Sequence, residues 1–94
     1  MNKAVFDKNQ QIAIDFLQDP ETREILAEIN DAIWSYAELG LEEHNTANLL
    51  INYLEKEGFE IEKGVGGMPT AFVATFSNGP GPTIGVLGEL DALP

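Results

Sequence analysis

Residues 50–62 decide the fold class, because the sequence pattern changes within them from helix to strand. They read Leu-Ile-Asn-Tyr-Leu-Glu-Lys-Glu-Gly-Phe-Glu-Ile-Glu. Before Gly58 the apolar residues recur three and four positions apart, as on one face of a helix, and Gly58 ends that pattern. After Gly58 apolar and charged residues alternate, which is typical of a half-buried strand. A helix followed directly by a strand predicts a chain of the α/β class.

Two further helices are predicted upstream of this stretch. The first covers Val5–Leu17, where apolar residues recur loosely at helical spacing. The second begins behind Asp19, a good N-cap, with Pro20 at the first helical position, and Gly40 is the expected C′ residue. The apolar face predicted for the second helix comprises Ile25, Ile29, Ala32, Ile33 and Tyr36.

The link between the second helix and the third is short. The two helices are therefore predicted to form a hairpin, packed on the first strands of a sheet. The third helix is predicted over residues 43–57, and strands are predicted over residues 59–62, 70–76 and 83–88. The last of these strands carries no charge, which favours burial on both of its faces. Such a strand needs neighbours, so the sheet is expected to be incomplete in this chain.

Charge and composition exclude several classes of partner. The 94 residues include 16 acidic and 5 basic side chains, for a formal charge of -11. This balance argues against nucleic acid and against anionic membrane surfaces, both of which attract basic patches. The chain has no cysteine, no signal-peptide pattern and no run of about 20 apolar residues. A cytoplasmic protein is therefore predicted.

Two carboxylates close the last predicted strand and are the first candidates for chemistry. Glu89 and Asp91 follow the uncharged run, and residues i and i+2 of a strand point to the same side. In open α/β sheets, ligands bind beyond the carboxyl ends of the strands. Converging carboxylates there require a cation or a proton between them. The alternative is a solvated strand terminus with ordinary surface acids, and the spacing alone leaves both open.

Four motifs in a fixed order resemble the zinc aminoacylase–carboxypeptidase family. They lie at residues 37–43 (Ala-Glu-Leu-Gly-Leu-Glu-Glu), 44–47 (His-Asn-Thr-Ala), 64–67 (Gly-Val-Gly-Gly) and 88–94 (Gly-Glu-Leu-Asp-Ala-Leu-Pro). The chain is most similar to the amidohydrolase branch that contains the aminobenzoyl-glutamate utilization proteins. The resemblance implies that residues 21–94 form the N-terminal part of a metallohydrolase catalytic domain. Residues 1–20 would be an extension able to form a helix.

The resemblance also implies roles for the two acids. Asp91 occupies the position of the family's catalytic Asp, which orients the ligands of zinc or another divalent metal. Glu89 stands where many members carry a metal-binding His, so it is a candidate metal ligand, and the departure from His puts that role in doubt. The remaining ligands and the general base would come from outside these residues, so this chain by itself is expected to be inactive and to bind no metal tightly. The expected substrates are small amides, namely N-acyl amino acids, dipeptides or aminobenzoyl-glutamate, and homo-oligomer formation stays open.

The other polar candidates have structural explanations. His44, the only histidine, is predicted to be an exposed or capping residue at a helix start, because neighbouring residues such as Glu43 and His44 do not share a helical face. Glu38, Glu42 and Glu43 are predicted to shape the turn between the helices. Residues 64–67 lack the Lys-Ser/Thr ending of a phosphate-binding loop, so a turn with positive φ is favoured. For Trp34 and Tyr36, packing in the core is favoured over an aromatic contact with a ligand.

A non-catalytic assembly module is the second functional hypothesis. In it, the uncharged strand at residues 83–88 would be an exposed sheet edge that pairs with another chain, since an unpaired edge exposes free backbone groups.

Overall fold

The computed structural model of the protein describes residues 6–94, and the fold class predicted from the sequence is confirmed. The elements in chain order are α1 (Lys8–Gln18), α2 (Pro20–Tyr36), α3 (His44–Lys56), β1 (Glu60–Lys63), a 3-10 turn (Val65–Gly67) and β2 (Phe72–Thr75). Contacts divide the chain into one unit that ends at Asp31 and a second unit, Ala32–Pro94. None of the helices within residues 6–94 has the length and apolar character needed to cross a membrane.

Capping side chains set the starts of the first two helices. The Gln10 N–H donates to Asp7 Oδ1 at 2.8 Å, and the Gln10 side chain accepts the Asp7 N–H at 3.0 Å. This reciprocal capping box starts α1 at Lys8, three residues later than predicted, and Val5 lies outside the described residues. Asp19 accepts the Thr22 N–H at 3.1 Å, so its predicted role as the N-cap of α2 is confirmed.

The end of α2 differs from the prediction. The helix stops at Tyr36, and Ala37 takes the left-handed conformation, with φ 45°, that was predicted for Gly40. Leu41 is also left-handed, with φ 68°. Positive φ is uncommon outside glycine and persists where surrounding contacts hold the backbone. None of the residues of α2 is buried, and Ile29, Ala32 and Ile33 on its predicted apolar face are half-buried.

The helical layer over the sheet is formed by α3, which contacts both strands. Its end is closed by Gly58, at φ 92°, with the Gly58 N–H donating to the Glu55 carbonyl and the Phe59 N–H donating to the Leu54 carbonyl, both at 3.0 Å. This pair of bonds is the Schellman motif, and it confirms that Gly58 stops the helix. Ala47 and Ile51 on α3 are the buried apolar residues among those described.

The sheet consists of β1 and β2 paired antiparallel, with Glu60 opposite Thr75 and Lys63 opposite Phe72. The Phe59 and Phe76 rings lie beyond one end of this ladder with their centroids 5.4 Å apart. Both strands fall within one or two residues of the predicted ranges. The helix, the reversal at Gly58 and the hairpin together give the second unit its small core.

The third predicted strand, residues 83–88, does not form. The segment has no regular structure, and the side chains of Ile84, Val86 and Leu87 are 86%, 97% and 98% exposed. An uncharged run becomes a buried strand only if neighbouring strands accept its backbone hydrogen bonds. The described sheet contains β1 and β2 alone, so the apolar pattern stays without a partner.

Replacing Ile51 with Ala is expected to destabilise the second unit severely. Ile51 is 3% exposed, so truncation leaves a cavity and costs about 2 to 5 kcal/mol of unfolding free energy. Urea denaturation followed by far-UV circular dichroism measures the loss. Ile84→Ala is the matched control, because Ile84 is 86% exposed and its loss should change stability by less than about 0.5 kcal/mol. Equal effects of the two substitutions would contradict the assigned core.

Candidate functional site

The turn between α2 and α3 is organised by the side chain of Glu38. Its Oε2 accepts the Asn45 N–H at 2.9 Å, and its Oε1 accepts the Thr46 N–H at 2.6 Å. The residue at the N-cap position of α3, Glu43, makes no capping hydrogen bond with its own side chain. Glu38 therefore satisfies two of the free N–H groups at the helix start, as an N-cap carboxylate would. Its negative charge also lies at the positive end of the helix dipole.

The pKa of Glu38 reports on these bonds. Desolvation raises it, but the backbone hydrogen bonds from Asn45 and Thr46, with the nearby charge of His44, act in the opposite direction and lower the pKa below the ordinary value. Hydrogen bonds donated to a carboxylate stabilise its charged form. Glu38 is therefore held as an anion by the helix that it caps.

A second glutamate in this turn reaches the glycine-rich loop. The Thr70 hydroxyl, buried in this structure, donates to Glu43 Oε1 at 3.4 Å. The loop itself turns through Gly64, Gly66 and Gly67, each with positive φ, and the Gly64 N–H donates to the Ala71 carbonyl at 2.8 Å. The predicted positive-φ turn is confirmed. It brings Thr70 next to the start of α3.

Asp91 lies against the same turn. The Ala92 N–H donates to the Glu38 carbonyl at 2.7 Å, which fixes the residue next to Asp91. Asp91 Oδ2 lies close to Gly40, where a Cβ atom would stand 3.7 Å away. Asp91 borders an open depression of about 520 Å³. The lining residues are Ile33, Trp34, Ser35, Ala37, Glu38, Leu90, Asp91 and Ala92.

The predicted core packing of Trp34 and Tyr36 was wrong. Trp34 is 83% exposed and lines the depression, and Tyr36 is 38% exposed. Both lie in the last turn of α2, whose residues are all at least partly exposed. Adjacency to Ile33 in sequence does not determine which helical face is covered, because that depends on what packs above the helix.

The described residues do not assemble a complete metal site. Glu89 is exposed, and no group of three or more His, Cys, Asp and Glu side chains within residues 6–94 could hold a metal ion. Catalytic zinc takes three protein ligands, so the described side chains by themselves do not fit such a centre. His44 is exposed at the first position of α3, as predicted.

Sequence reasoning found the glutamates of the turn but missed their partners. It assigned Glu38 and Glu43 to the shape of the turn, without the contacts to the start of α3 and to Thr70. One signal was available: the position before α3 holds Glu43 instead of Ser, Thr, Asp or Asn, so a cap from elsewhere was needed. The backbone bond from Ala92 to Glu38 leaves no trace in the sequence, since any residue but proline can donate it.

Three curated proteins are similar to this chain. A p-aminobenzoyl-glutamate hydrolase subunit of Escherichia coli is 42% identical over 71 residues, which are 76% of this chain and 15% of that protein. Thermostable carboxypeptidases 1 and 2 of Saccharolobus solfataricus are 39% and 37% identical over 75 residues, 79% of this chain and 19% of each. The chain thus spans less than a fifth of their length. No family model and no solved structure matches it significantly.

The capping bonds of Glu38 are expected to survive below the pH at which an ordinary glutamate protonates. Because the folded-state pKa is lowered, the stabilisation from Glu38 is complete above the unfolded value of about 4.3 and is lost only as the pH falls through the lower folded value. An NMR titration of the Glu38 carboxyl carbon, read against the same residue in the urea-unfolded chain, measures the shift. The Asn45 and Thr46 amide signals should move with the same midpoint. A folded midpoint at or above the unfolded one would contradict the capping geometry.

Proposed function

Over its matched residues the chain is a member of the amidohydrolase/carboxypeptidase family, and we propose that it forms the N-terminal part of a domain that hydrolyses amide bonds. The proposed substrates are small amides: N-acyl amino acids, dipeptides or aminobenzoyl-glutamate. The names of the relatives, a p-aminobenzoyl-glutamate hydrolase subunit and two carboxypeptidases, support this class of reaction.

The placement of Asp91 is the observation that carries the proposal. Asp91 borders a depression, and the neighbouring Ala92 N–H is bound to the turn that starts α3. A carboxylate that supports a reaction centre must be held by the scaffold, because small displacements weaken catalysis strongly. The 2.7 Å backbone bond supplies such support.

A divalent metal, zinc in the simplest case, is proposed as the cofactor of the complete site. Asp91 would orient its ligands, and Glu89 is the one candidate ligand in this chain. The other ligands and the general base would be supplied by residues outside the described ones, since residues 6–94 contain no sufficient cluster. The chain by itself is therefore proposed to be inactive.

Removing the charge of Asp91 tests this role. In the gene product that carries these residues, Asp91→Asn is expected to lower kcat/KM for aminobenzoyl-glutamate or an N-acyl amino acid by about 10- to 100-fold, the usual cost of losing a group that orients metal ligands. The purified 94-residue chain should show no turnover of either substrate with added zinc.

Glu62→Gln is the control, because Glu62 is an exposed acid on β1 and its replacement removes the same charge. Its activity should match that of the unmodified protein. Full activity of the Asp91→Asn variant, or turnover by the 94-residue chain, would refute the proposal.

A non-catalytic assembly module is the second candidate, and the exposure of the apolar run at residues 83–88 favours it. Ile84, Val86 and Leu87 are among the most exposed apolar side chains of the described residues. An extended apolar segment can add to the edge of another sheet through its backbone groups. In this structure the segment is not a strand, so pairing would have to induce one.

Sedimentation velocity on the 94-residue chain separates the two candidates. The hydrolase proposal predicts a folded monomer across the concentration range. The module predicts a dimer that Val86→Asp dissociates, because a buried charge opposes apolar pairing. Asn78→Asp, which adds the same charge in the exposed turn before the apolar run, is the matched control. A dimer that is lost with Val86→Asp but kept with Asn78→Asp would support the module.

A further inference from the structure

We propose that Glu38 is a positioning residue for Asp91, because it binds the start of α3 with its side chain and the Asp91 segment with its backbone. The inference rests on the proposed function, in which Asp91 acts at the reaction centre. It adds a residue whose contacts with α3 and with Ala92 determine where Asp91 lies.

The side chain of Glu38 is fixed at both carboxylate oxygens. One oxygen accepts the Asn45 N–H at 2.9 Å and the other accepts the Thr46 N–H at 2.6 Å. Thr46 is 1% exposed, so the helix end that receives Glu38 belongs to the packed part of the unit. Hydrogen bonds to a charged acceptor are stronger than those between neutral groups. The carboxylate therefore ties Glu38 to α3 at two points.

The backbone of Glu38 continues this connection to Asp91. The Ala92 N–H donates to the Glu38 carbonyl at 2.7 Å, and Asp91 precedes Ala92 directly. Asp91 Oδ2 also lies close to Gly40, two residues after Glu38. The Asp91 segment is therefore bonded to the turn at the Glu38 carbonyl and lies close to Gly40.

Backbone geometry explains why the side chain should influence the carbonyl. Ala37 and Leu41, on either side of Glu38–Gly40, both have positive φ, at 45° and 68°. Non-glycine residues hold such conformations only where surrounding contacts over-determine them. The Glu38 carboxylate is one of these contacts, and the bond from the Glu42 N–H to the Leu39 carbonyl at 2.9 Å is another. Without the carboxylate the turn is expected to relax and carry the carbonyl away from Ala92.

A simple helix cap would behave differently. If Glu38 only capped α3, its loss would expose the Asn45 and Thr46 amides and leave the Ala92 amide as protected as before. The Ala92 amide is therefore the group that separates positioning from capping, and its measurement does not depend on activity.

Amide hydrogen exchange by NMR on the 94-residue chain tests the proposal. With Glu38→Ala, the exchange of the Ala92 amide should accelerate by about tenfold or more, while amides in the β1–β2 ladder keep their rates, because the opening is local. Glu38→Gln keeps one acceptor oxygen and should give an intermediate effect. Glu42→Ala is the matched control, since Glu42 is an exposed glutamate in the same turn, and it should leave Ala92 unchanged.

Unchanged protection of Ala92 in Glu38→Ala, with faster exchange at Asn45 and Thr46, would overturn the proposal and leave Glu38 as a cap. If Glu38→Ala does not fold, the Glu38→Gln comparison decides: an Ala92 rate equal to that of the unmodified chain counts against positioning.

In the gene product, Glu38→Gln should lower kcat more than it changes KM. An Asp91→Asn variant with full activity would refute the proposed function alone, because the exchange result still tells whether Glu38 positions Asp91.

Discussion

One carboxylate at the start of a helix constrains the arrangement around the candidate site. Glu38 satisfies two backbone donors of α3 that the residue at the N-cap position leaves without a side-chain partner. The same residue offers its carbonyl to the Ala92 N–H. Since a helix start with unsatisfied N–H groups is unfavourable, these bonds restrict the turn to few conformations. The helix, the turn and the Asp91 segment are thus connected through one residue.

Polar contacts carry this arrangement because apolar packing in the second unit is sparse. Ala47 and Ile51 are the buried apolar residues among those described, and both belong to α3. Leu90 and Ala92 are only half-buried, and Leu93 is 90% exposed. The segment is therefore held by the 2.7 Å bond between the Ala92 N–H and the Glu38 carbonyl. In a larger hydrolase domain, further elements would cover these apolar side chains.

Local sequence patterns predicted the helices and strands well. Features that depend on contacts with residues far away in the chain were not predicted. Asp19 as a cap, Gly58 as a helix stop and the alternation after it are signals within a few residues, and all three are found. Whether the run at residues 83–88 becomes a buried strand depends on neighbours that the run does not encode. The exposure of Trp34 likewise depends on what packs above α2.

The candidate site shows the same division between local and distant information. The motif order made Asp91 and the turn glutamates candidates, because the residue types and their spacing are visible in the sequence. Their connection is a backbone bond between residues 54 positions apart, and side-chain identity does not report it. The left-handed residue after α2 was likewise not predictable from residue type. It is Ala37 and not the predicted Gly40, since contacts within the turn override the preference for glycine.

The most direct measurement is the scalar coupling across the hydrogen bond from the Ala92 N–H to the Glu38 carbonyl, read in a long-range HNCO spectrum of the labelled chain. The account predicts a cross-peak between the Ala92 nitrogen and the Glu38 carbonyl carbon, alongside those of the helical and β1–β2 bonds. A spectrum that shows the helical and sheet cross-peaks without this one, together with free exchange of the Ala92 amide, would contradict it.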